Sequence, residues 1–177
     1  KLVGKRIDFT PIGSAEGVTP VVSPNAGQLF SVGTAGLGVD VVSGGRLDLG
    51  LGAGWNEEEA RAYGIPLLPF KQRFDQFDEA CDVVVGLLTQ PRFSDEGEHF
   101  TIEGGYCEPK AVQVPHPPIC IGGSGEKRTL RTVARLAQHW NYLGGPVDEF
   151  VRLRGVLDAH CADLGREVLR RSGIGVQ

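Results

Sequence analysis

Methionine is absent from all 177 residues, and the chain starts at Lys1. The natural start is therefore expected to lie upstream, so the sequence reads as a portion of a longer one. Cysteine is scarce: Cys81, Cys107, Cys120 and Cys161 are spread out, with no Cys-x-x-Cys pair. That removes the spacing of zinc sites and dithiol redox motifs, and a chain of this size builds a core without disulfide staples. His99, His116, His139 and His160 are equally dispersed. No metal is expected, and the cysteines read as buried free thiols. Long apolar runs are missing too. Nothing approaches the ~20 residues of a membrane helix, and the opening stretch lacks the apolar centre of a secretory leader. The cytoplasm is the expected location. A basic excess is also lacking: 18 Lys and Arg against 22 Asp and Glu leave a net charge of −4. That gives no electrostatic footing for nucleic acid or an anionic membrane surface. A small-molecule substrate is the partner that remains.

Hydrophobic content of 41% and charged content of 23% are ordinary for a globular protein, and residues 1–177 read as one domain. Glycine is the excess, at 26 residues, about twice the usual ~7% share. Residues 18–22 suggest a short strand and 25–42 a glycine-interrupted helix, followed by a turn at Ser43-Gly44-Gly45. Residues 46–52 read as a strand with Leu47, Leu49 and Leu51 on one face and Asp48, Gly50 and Gly52 on the other. Asn56 caps a short helix, with Glu59 three residues on, and Pro66 and Pro69 are expected to stop it. Phe70, Phe74, Phe77, Cys81, Val84 and Leu88 recur at steps of four and three, predicting a long amphipathic helix that ends by Pro91. Residues 93–102 read as a hairpin turning at Glu96-Gly97. Ile119-Cys120-Ile121 reads as a strand buried on both faces. A helix over 126–137, a strand at 140–143, a helix over 148–164 and a last strand from 168 complete the order. This alternation predicts βαβ units on a parallel sheet.

Two of the strand ends, at residues 50–54 and 122–125, carry glycine turns that open into helices. In a parallel α/β fold the C-terminal strand ends lie on one side, where ligands bind. Both turns could present backbone N–H groups to a phosphate; equally, they could be tight βα turns. Trp55 and Trp140 each sit near a strand end, where an indole can wall a flat heteroaromatic ligand or pack in the core. Lys127 and Arg128, in the first turn of a helix, oppose its dipole, which suits a neighbouring phosphate or a solvated surface. Trp55 stands where a dinucleotide fingerprint needs its last glycine, and residues 123–129 lack the Gly-Lys-Ser/Thr of a P-loop. No nucleophile–base pair can be read from spacing, so the catalytic residues are unknown. Chemistry would rest on a bound cofactor.

Residues 43–55 (SGGRLDLGLGAGW), 117–130 (PPICIGGSGEKRTL) and 137–141 (AQHWN), with Cys107-Glu108-Pro109-Lys110 and the long helix, resemble the luciferase-like monooxygenase superfamily. The nearest likeness is to its deazaflavin-dependent oxidoreductase branch. The resemblance runs from about residue 39 to 177. It implies an α/β fold of the (β/α)8 TIM-barrel type, here partial, with roughly strands three to seven. It also implies coenzyme F420, or alternatively FMN, at the C-terminal strand ends, and hydride transfer to or from an organic substrate. The cofactor-binding residues it implies are Gly52, Ala53, Gly54, Trp55 and Asn56 at strand four. Gly122, Gly123, Ser124 and Gly125 follow at strand five, near the cofactor phosphate, and Trp140 and Asn141 at strand six. Gln138-His139 departs from the Asp-Gly pair usual before that tryptophan, and residues 1–38 match poorly. The family's catalytic side chains on early strands have no counterpart. A partial barrel leaves strand edges unpaired, so a homo-oligomer, most simply a dimer, is expected. The alternative reading is a non-catalytic truncated homologue acting as a binding or oligomerisation module.

Overall fold

The computed structural model of the chain describes residues 38–166 and the backbone of 172–174. The strand expected at 18–22 and most of the helix expected at 25–42 lie outside the described residues. The described residues group into two compact units: 38–47 with 53–117, and 48–52 with 118–166 and 172–174.

The first unit is helical, with one hairpin. Helix α1 (residues 38–43) ends in the Ser43-Gly44-Gly45 turn, where Gly45 N–H donates to Asp40 O at 2.9 Å. Helix α2 (Glu57–Ala62) is capped by Asn56, whose side chain accepts from Glu59 N–H. It ends before Pro66: Tyr63 and Gly64 close the last turn by donating to Glu59 O and Arg61 O. Helix α3 (Phe70–Thr89) buries Phe74, Phe77, Cys81, Val84 and Leu88, as the stripe predicts, while Phe70 remains exposed. Its C-terminal carbonyls are met by Lys110 Nζ, 2.8 Å from both Leu87 O and Gln90 O, a cation placed where the helix dipole favours one. The antiparallel hairpin joins β2 (Phe93–Glu96) to β3 (Thr101–Gly105). Its second strand runs past residue 102. Glu79 of α3 accepts from the N–H groups of His99 and Phe100 between the two strands.

The second unit is a parallel sheet with two helices. Strands β1 (Leu49–Leu51), β4 (Ile119–Gly122), β5 (His139–Tyr142) and β6 (Ser172–Ile174) pair in chain order, all parallel. A doubly wound sheet reverses its strand order at a switch point; these four strands do not. The sequential order is that of a (β/α)8 barrel. Helices α4 (Thr129–Leu136) and α5 (Val147–Asp163) pack on each other. Their face of the sheet holds Ile119, Ile121, Trp140 and Tyr142, all buried, and Trp140 stacks on Phe150 of α5 at 5.5 Å with rings 8° apart.

Three expectations shift. β1 is shorter than 46–52, because Arg46 is held in the preceding turn by Ser43 and Leu47 O accepts from Gln113 Nε2. β4 is buried on one face only: Ile119 and Ile121 are sealed, while Cys120 and Gly122 are half-buried. α4 starts at Thr129, so Lys127 and Arg128 precede the helix rather than lying in its first turn.

Candidate functional site

Side chains alternate along a strand, and partners in register point to the same side of the sheet. The face opposite α4 and α5 therefore carries one row of Gly50, Cys120 and His139. The next row toward the C-terminal ends is Gly122, Asn141 and Gly173, and Gly52 joins it one residue past the Leu51–Ile121 pair. Glycine holds three of those four strand ends. Among the described residues, a Cβ at Gly52 would meet nothing within 4 Å, and one at Gly122 would meet only Asn141, from 3.7 Å.

The turn after β4 is held from both sides. Gly123 N–H donates to Asn141 O at 3.1 Å, and Trp140 Nε1–H donates to Gly123 O at 2.7 Å. Gly123 has φ +121°, a conformation that side chains rarely adopt, and an added Cβ would stand 3.2 Å from Thr129 Cγ2. Trp140 is 1% exposed, so it acts on the turn from within the core instead of offering a face to a ligand. Ser124, Gly125, Glu126 and Lys127 are exposed, and Gly125 O accepts from Leu130 N–H to enter α4. The N–H groups of Ser124 and Gly125 meet no acceptor among the described residues. Arg152 braces the turn from α5 through Glu126 at 2.8 Å and Glu149 at 2.8 Å. Hydrogen bonding to this guanidinium holds both carboxyls below their ordinary range. His160 Nε2–H donates to Glu126 O at 2.9 Å.

Below the glycine row, the Cys120 thiol is pushed up to about 11, chiefly by burial and then by the Asp48 charge. It is neutral near pH 7 and a poor nucleophile. Asp48 Oδ1 lies 3.9 Å from His139 Nε2. Among the described residues no group of three or more His, Cys, Asp or Glu side chains could hold a metal ion.

Of the expected site residues, Gly52, Gly122, Gly123, Ser124, Gly125, Trp140 and Asn141 fall at adjacent strand ends of the parallel unit. Ala53, Gly54, Trp55 and Asn56 belong to the other unit. There Gly54 has φ +78°, Trp55 is 71% exposed, and Asn56 Oδ1 is engaged as the α2 cap at 3.1 Å. Sequence reading placed Asp48 on the face of Gly50 and Gly52 but missed that Cys120 and His139 share it. Strict alternation along β4 and β5 carried that signal.

The family profile described as luciferase-like monooxygenase matches residues 30–171. This chain belongs to the luciferase-like monooxygenase family. It is 30% identical over 135 residues to an FMNH(2)-dependent dimethylsulfone monooxygenase of Pseudomonas putida, an alignment covering 72% of this chain and 36% of the relative. An F420-dependent secondary alcohol dehydrogenase, solved with an F420–acetone adduct, superposes with a TM-score of 0.75 at 16% identity. That match covers 89% of this chain and 46% of the dehydrogenase. A riboflavin lyase solved with modified FMN and riboflavin superposes with a TM-score of 0.68 at 20% identity, over 84% of this chain and 38% of the lyase. Thus the chain spans less than half the length of these proteins, and the fold it shares with the solved structures is part of a TIM barrel.

Proposed function

We propose that the chain is the coenzyme-binding portion of a flavin- or deazaflavin-dependent oxidoreductase acting on an organic substrate. The observation that carries this reading is the row of glycines, Gly52, Gly122 and Gly173, beside Asn141 at the strand ends, with no described residue within 4 Å of a Cβ at Gly52. Its support is that a flat ring or polyol chain can approach backbone closely only where Cβ atoms are missing. The bound coenzyme, FMN or coenzyme F420, would accept or supply the hydride. Gly52, Gly122 and Asn141 would hold its uncharged part. The free N–H groups of Ser124 and Gly125, before α4, would meet its phosphate, where a helix start favours an anion. Gly123 and Trp140 would position that turn. Ala53, Gly54, Trp55 and Asn56 remain proposed binding residues on the strength of the family resemblance alone.

Anaerobic titration with FMN and with coenzyme F420, followed by absorbance and fluorescence, tests the reading. Saturable binding of at least one is expected, and binding of neither would refute it. A second reading is a non-catalytic binding or oligomerisation module. Turnover separates the two: a chain that binds coenzyme yet oxidises no donor and reduces no acceptor is such a module.

A further inference from the structure

Glu126 directly follows Ser124 and Gly125, whose N–H groups meet no acceptor among the described residues. An acid there works against an anion. It is exposed, so core packing does not decide where its carboxylate goes; Arg152 of α5 does. Arg152 Nη2–H donates to Glu126 Oε1 at 2.8 Å. The same guanidinium donates through Nε and Nη2 to both oxygens of Glu149, at 2.8 and 2.9 Å. Glu149, three residues earlier on α5, thereby fixes the fork that receives Glu126. The hydrogen bond from Arg152 is the main cause that holds the Glu126 carboxyl below its ordinary range, so it is charged at neutral pH. The backbone at this position is held separately, by His160 Nε2–H on Glu126 O at 2.9 Å. Removing the guanidinium therefore frees the Glu126 side chain and leaves the main chain of the turn tied to α5. A freed carboxylate beside unfilled N–H groups repels an incoming anion and can itself accept from those groups, as acidic side chains do at helix starts.

We propose that Arg152 is a positioning residue that draws the Glu126 carboxylate to α5 and so keeps the turn after β4 free to take the coenzyme phosphate. The inference rests on the coenzyme reading above. Its test compares wild type with Arg152→Gln, Glu126→Gln and the double variant. Each is titrated with the coenzyme that wild type binds and with its phosphate-free form: riboflavin for FMN, or the deazaflavin chromophore without its phosphate-bearing tail for coenzyme F420. Both positions are exposed, so the variants should fold, as far-ultraviolet circular dichroism and the urea midpoint will report. Arg152→Gln should bind the phosphorylated coenzyme about three- to tenfold more weakly, the effect of one exposed charge at short range, and the phosphate-free form as wild type does. Glu126→Gln should bind no more weakly than wild type, and in the double variant it should restore affinity to within about twofold, because the two residues act as one unit. A loss that persists in the double variant would overturn the proposal, since Arg152 would then only shape the turn. So would an equal loss for the phosphate-free form, or unchanged affinity in Arg152→Gln. A wild type that binds neither coenzyme removes the underlying reading, and this proposal with it.

Discussion

Gly52 and Gly123 are glycines for different reasons, and stability separates them. Gly123 needs its residue type for the backbone, at φ +121° and with Thr129 Cγ2 3.2 Å from an added Cβ. Gly123→Ala should cost about 1–3 kcal/mol in urea unfolding. Gly52 has no described residue within 4 Å of an added Cβ, so Gly52→Ala should stay within about 0.5 kcal/mol of wild type; equal losses in both would remove the distinction. Cys120 gives a pH signature. Its folded value of about 11 stands above the ordinary 9.0, so above pH 9 the unfolded thiol releases its proton while the folded one keeps it. Stability is then lost as pH rises from 9 toward 11, by roughly 2–3 kcal/mol at one unit per 1.36 kcal/mol. Cys120→Ala should lack that part of the alkaline decline, and matching pH profiles would contradict the assignment. The glycines were legible because their spacing is local. Asp40 was not: it is fully buried, and its carboxylate accepts from Val112 N–H, Gln113 N–H and Gln113 Nε2, partners that no local pattern connects to it.

The elements were read best where one periodicity governs them. The stripe of α3 is a single helical period, and its burial follows it from Phe74 to Leu88. Boundaries moved where a side chain or carbonyl found a partner outside the period. Leu164, the last residue of the helix expected over 148–164, instead caps its end and is 40% exposed. Glu126 is drawn to Arg152, and α4 starts three residues later than its apolar spacing suggests. The turn between β4 and α4 depends on β5 through the Trp140 indole. Trp140→Phe keeps an aromatic ring against Phe150 but removes that donor. It should cost about 1 kcal/mol and raise amide hydrogen exchange at Gly123, whose N–H bonds to Asn141 O. Unaltered exchange there would mean that the indole does not hold the turn.

At the scale of the whole molecule, no described helix is long and apolar enough to cross a membrane. Val147 and Val151, one turn apart on α5, are 75% and 62% exposed. We propose that this apolar face supports self-association of the chain. Light scattering should then give twice 19.0 kDa; a monomer over micromolar concentrations would contradict it. The central claim is that the glycine strand ends receive a flavin or deazaflavin ring system. It is tested most directly by anaerobic fluorescence titration of wild type and Gly52→Leu with FMN and with coenzyme F420. The account predicts saturable binding of one coenzyme by wild type and its loss in a folded variant whose side chain fills the open row. Binding of neither coenzyme, or binding that Gly52→Leu leaves unchanged, would contradict it.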